Sequence, residues 1–182
     1  MAPDTAAVKS SSSSPRRKSF FMAQIMLRIL AIAFSLAAIS VMVTSTQLVV
    51  VFGITFRASY SDTSALRFLL GVDISACILS ALSLTFVCFL SRSESHLRKY
   101  FLLFLHDMVT MVLLISGCAA ATAIGFVSKY GELKVGWAAV CGTVPKFCNR
   151  STISLVLSYL AFFSYLGLSM MSASKLMSRA TE

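Results

Sequence analysis

Charge is scarce in this chain. Only 13% of its residues are charged, 7 of the 182 being acidic, where soluble globular proteins carry about a quarter. Histidine is scarcer, with His96 and His106 alone. The phosphate-cradling GxxxxGK[ST] and GxGxxG, the zinc-binding HExxH and the nucleophile elbow GxSxG are all missing. These gaps leave no catalytic residue to name, no metal site and no cofactor. His106 beside Asp107 does not fill them, since helix neighbours point in different directions and no third ligand follows at helical spacing. A proton pump needs several ionisable groups along a path, and no such stripe exists.

What the chain has in abundance is apolar surface. With 57% hydrophobic residues and a mean hydropathy of +0.83, it reads as an all-α integral membrane protein, a four-helix transmembrane bundle in one unit. The spans are expected at about 20–43, 66–90, 100–127 and 152–175. Residues 1–19, with a serine run and two prolines, read as a disordered cytoplasmic tail, and 177–182 as a second short one. The apolar run Leu48 to Phe56 is too short to cross and is expected to extend the first helix or lie in the interface. The excess of 16 basic over 7 acidic residues sits beside spans, so membrane lipids are the expected partner and nucleic acid is not. Nine Lys and Arg fall on the side of the termini and six on the other, which puts both termini in the cytoplasm.

The third span holds an acid, Asp107, about two turns from its start at Tyr100. A charge there costs a few kcal/mol unless it is paired. Arg28 stands at a matching depth: roughly 12 Å inside Phe20, against roughly 10 Å for Asp107 inside Tyr100, at 1.5 Å per residue. Asp73 lies near the opposite face and is the poorer partner. Arg28 and Asp107 are therefore expected to form an intramembrane ion pair. Above the acid, Gly117, Ala121 and Gly125 form a small-xxx-small run, which reads as a helix-packing face.

Of five cysteines, Cys77, Cys88 and Cys118 fall in apolar spans, while Cys141 and Cys148 share the polar loop between spans three and four. With six residues between them, the loop pair is expected to form a disulfide on the oxidising side of the membrane. Asn149-Arg150-Ser151 matches the N-glycosylation acceptor pattern, almost at the start of the fourth span.

Taken together, Arg28, Asp107-Met108-Val109, Gly117, Ala119 to Ile124, Trp137, Cys141, Phe147-Cys148 and Arg150 resemble the Casparian strip membrane protein-like family. Its members are four-span, multi-pass plasma-membrane proteins of plants, related to the MARVEL fold. The resemblance implies that Arg28 and Asp107 match the family's intramembrane Arg and Asp. It also implies that the chain assembles with itself and with related members as homo- and hetero-oligomers. Members that build the strip carry a first-loop motif with Pro, paired Phe and Gln, where this chain reads QLVVVFGITFRASYSD. The broader role remains: a non-enzymatic scaffold that organises membrane domains or recruits partners, including partners in cell-wall modification. The alternative is a small channel or transporter with a polar path around Arg28 and Asp107. A claudin-like barrier places its Trp and Cys pair in the first loop, whereas here they stand in the second.

Overall fold

The computed structural model describes residues 15–51, 54–90, 97–132, 134 and 136–180. Among the described residues four α-helices form the bundle: α1 Pro15–Val43, α2 Ser64–Leu90, α3 Leu97–Tyr130 and α4 Pro145–Ala180. Each contains a stretch long and apolar enough to cross a membrane. The helices outrun the apolar stretches that announce them, because hydropathy marks the bilayer and not the helix end. α4 starts at Pro145, where a proline's missing N–H costs nothing and its fixed φ suits a first turn. The serine-rich stretch 1–14 and the basic loop 91–96 with His96 lie outside the described residues.

Burial follows a heptad spacing. In α1 the buried positions are Gln24, Arg28, Ala31, Ser35, Ala38 and Met42, stepping alternately by four and three. α4 repeats the pattern with Ser154, Ser158, Ala161, Tyr165, Leu168 and Ser172. This is the seam of a left-handed bundle, and the helices close it as a ring in which α1 packs on α2, α2 on α3, α3 on α4 and α4 on α1. The opposite faces carry exposed apolar side chains such as Ile74, Ile78, Leu82 and Phe163, as lipid contact requires. The seam itself is small and polar at many positions, so the helices approach closely and bond across the axis.

The Leu48–Phe56 run does not extend α1. Thr46–Val51 (β1) and Ile54–Ser59 (β2) pair as an antiparallel hairpin, with Val51 opposite Ile54 and Thr46 opposite Ser59. Three successive valines favour a pleated strand over a helix turn, and the same apolar composition hides that choice from hydropathy. Asp62 then accepts the Ser59 N–H at 2.8 Å and leads the chain into α2.

The loop between α3 and α4 is ordered by its backbone. Gly131, at φ 73°, ends α3 in the left-handed conformation, its N–H bonding to the Val127 carbonyl at 2.8 Å. A Cβ there would meet the Trp137 carbonyl at 2.9 Å, which reserves the position for glycine. Glu132 and Trp137 exchange backbone hydrogen bonds at 2.8 and 3.0 Å, and the Ser128 carbonyl accepts from Val140 and Cys141.

Candidate functional site

Polar side chains brace both diagonals of the bundle, joining helices that are not neighbours around the ring. Between α1 and α3, Arg28 Nη2 donates to Asp107 Oδ2 at 2.8 Å, with both side chains fully buried. Arg28 Nη1 also donates to the Ser83 hydroxyl, which anchors α2 to the same guanidinium. Ser83 in turn donates to the Ser80 carbonyl at 2.9 Å. Between α2 and α4, the Ser158 hydroxyl donates to Asp73 Oδ2 at 2.7 Å. One level along, Ser80 bonds to the Tyr165 hydroxyl, whose own O–H donates to the Ala76 carbonyl at 3.0 Å. Gln24 to Ser172 at 3.3 Å and Ser154 to the Ala38 carbonyl at 2.8 Å tie α1 to α4 at the two ends of the seam.

The reason the sequence folds this way is dielectric. Each of these groups would lose water on entering the bilayer, and a bond to another helix replaces it where the bond is strongest. The heptad positions send every one of them to the axis, so assembling the bundle and satisfying its polar groups are the same event. The apolar members of the seam fill the levels between, with Ala31, Val72, Ala76, Leu114, Ala161, Tyr165 and Leu168 in one cluster. Met42, Leu66, Leu69, Cys118 and Ala121 form another, nearer the hairpin. A few buried polar atoms have no protein partner, among them Arg28 Nε, Asp107 Oδ1, Asp73 Oδ1 and Ser35 Oγ.

The expected packing face divides. Gly117 lies against α2, where a Cβ would stand 3.4 Å from Leu69 Cδ1 and 3.5 Å from Leu69 Cα, and Ala121 is buried beside it. Gly125 is exposed with nothing within 4 Å. His106 turns away from the acid and bonds through Nε2 to the Leu79 carbonyl at 3.1 Å. No cluster of His, Cys, Asp and Glu fit for a metal occurs among the described residues. Sequence reasoning missed Ser83 and Tyr165; the signal for Tyr165 was its place at the seven-residue step after Ser158.

At the hairpin end, Cys141 and Cys148 are bonded to each other with Cα atoms 5.7 Å apart, tying the loop to the first turn of α4. Gln47 Oε1 accepts the Phe147 N–H at 3.0 Å, and Arg150 Nη1 donates to the Thr44 carbonyl at 3.0 Å, so the hairpin and α4 hold each other. Asn149 is exposed but helical, and the Ser151 hydroxyl of its acceptor pattern is buried without a partner. Mass spectrometry of unreduced peptides is expected to find Cys141 and Cys148 joined in protein purified from membranes; both thiols free to alkylate would overturn the bridge.

Residues 17–164 match the family described as the Casparian strip membrane protein domain. CASP-like protein 1F2 of Ricinus communis is 56% identical over 165 residues, which is 90% of this chain and 82% of that protein. CASP-like protein 1F3 of Populus trichocarpa is 52% identical over 169 residues, 93% of this chain and 88% of its own length. CASP-like protein 1F1 of Arabidopsis thaliana is 36% identical over 151 residues, 83% of this chain and 87% of its own length. No solved structure matches the chain.

Proposed function

Since the chain belongs to the Casparian strip membrane protein domain family, and is thus a multi-pass membrane protein, we propose that it is a non-enzymatic scaffold of the plasma membrane. In this reading both termini are cytoplasmic, and the chain assembles with itself and with related members to organise a membrane domain or recruit partners. The observation that carries the reading is the cross-bracing of the axis. Arg28, Asp73 and Asp107, the ionisable side chains of the seam, each bond to a side chain of another helix. Groups committed to one another hold a bundle together; groups that pass ions need a wet lumen and a net field, and a closed Arg–Asp pair supplies neither. The second reading, a small channel or transporter, draws on the unpartnered oxygens of Asp73 and Asp107.

Purified protein in nanodiscs is expected to show a native mass of more than one chain, and the same protein in liposomes to carry no selective current. A reproducible, ion-selective conductance abolished by Asp107→Asn would replace the scaffold with the channel.

A further inference from the structure

The ring topology gathers one set of basic residues at the hairpin end of the bundle. Arg57 stands on β2, Arg67 at the start of α2, Lys129 at the end of α3, Lys134 in the loop, and Lys146 and Arg150 in the first two turns of α4. All six are exposed. Only Asp62 and Glu132 oppose them there among the described residues, and Asp62 is held by the Ser59 N–H. None of the six is in an ion pair among the described residues, whose salt bridge is the buried one at Arg28. The hairpin, the loop at Cys141 and the start of α4 are fastened together by the disulfide, by Gln47 to Phe147 and by Arg150 to Thr44. With six exposed basic side chains against two acidic ones, this end is predominantly positive.

We propose that this end of the bundle is a docking surface for an acidic polysaccharide, a polymer with a carboxylate on its repeating sugar. The cations are spread over β2, α2, α3, the loop and α4, so a polyanion can span several of them and release its counterions as it does. Arg67 and Lys129 stand in the end turns of apolar spans. Arg57 and Lys134 lie outside the spans altogether, and Lys146 stands in the first turn of the fourth. A disulfide here fits an oxidising compartment, and so an extracellular polymer better than nucleic acid. Trp137, the one tryptophan of the chain, is 50% exposed three residues after Lys134. Its indole offers a flat apolar face to the C–H groups of a sugar ring beside the cations that take the carboxylates. The inference rests on the topology proposed above only for the side of the membrane on which the polymer lies.

The test uses the full chain in nanodiscs of zwitterionic lipid, which leave both ends open whatever the orientation in cells. The probe is polygalacturonate, with neutral dextran as control. Binding is expected for polygalacturonate alone and is expected to fall steeply with salt. The combined variant Arg57→Gln, Lys134→Gln, Lys146→Gln is expected to bind about tenfold more weakly, as three exposed charge contacts dictate. Trp137→Ala is expected to weaken binding about fivefold while leaving the salt dependence unchanged. The proposal is overturned if the triple variant binds like the parent, or if binding is lost instead on neutralising Arg16, Arg17 and Lys18 at the other end. It is equally overturned if anionic-lipid vesicles compete the polymer away while Trp137→Ala has no effect, since the surface would then be a headgroup site. Labelling Arg57→Cys from outside sealed vesicles reads the orientation separately, so a wrong topology and a wrong ligand give different results.

Discussion

Arg28→Ala and Asp107→Ala are each expected to lose about 3 to 5 kcal/mol of stability, because either change strands a buried charge. The loss should appear as a lower unfolding temperature in mild detergent and as a fall in folded yield. Asp107 in the alanine variant of Arg28 would keep no bond to another helix, and Arg28 in the converse variant would keep only Ser83. The reciprocal exchange, Arg28→Asp with Asp107→Arg, should recover part of the loss, since the two side chains meet on the axis and the pair survives reversal. Recovery stays partial because Ser83 is placed to accept from a guanidinium that projects from α1. Ser83→Ala alone should cost about 2 kcal/mol, since its bond is to a buried charged group. Two alanine variants as stable as the parent would mean that the pair carries no structural load, and the cross-bracing argument would fail with it.

Depth along a span is legible in a sequence because a helix rises by a constant amount per residue. Arg28 and Asp107 could be set at one level from their distances to Phe20 and Tyr100, and in the structure their atoms meet at 2.8 Å. Ser83 could not be read in this way. A hydroxyl in a span can bond its own helix, as Ser116 does to the Leu113 carbonyl at 2.8 Å, so nothing in the sequence forces a serine to have a partner elsewhere. Asp73 is the intermediate case: its cost demanded a partner, yet the choice of Ser158 among the serines of α4 depended on rotations that only packing sets. The hairpin was illegible for another reason. Thr46 to Ser59 is apolar enough to suggest membrane and β-branched enough to suggest a strand, and the bonds that decide the matter, from Gln47 to Phe147 and from Arg150 to Thr44, run to residues about 100 positions away.

The glycines of α3 give the second large effect, and they separate what a small residue does inside one chain from what it does between chains. Gly117→Leu is expected to destabilise the bundle by about 2 to 3 kcal/mol. Its Cβ alone would reach ordinary contact with Leu69 Cα and Val72 Cβ, each at 3.5 Å, so alanine should be tolerated while the rest of a leucine side chain would push α2 from α3. Backbone on the far side cannot swing away as a flexible side chain would. Ala121→Leu should behave similarly, since Ala121 is buried in the same cluster. Gly125→Leu meets nothing within 4 Å and should change the stability of the isolated chain by no more than about 0.5 kcal/mol. Under the scaffold reading, that exposed glycine is free to let a second chain approach, so Gly125→Leu should lower the native mass in nanodiscs while leaving the unfolding temperature in place. If Gly125→Leu unfolds the protein as far as Gly117→Leu does, the face is spent within one chain. Stability and native mass both unchanged would instead move the self-association surface to another helix.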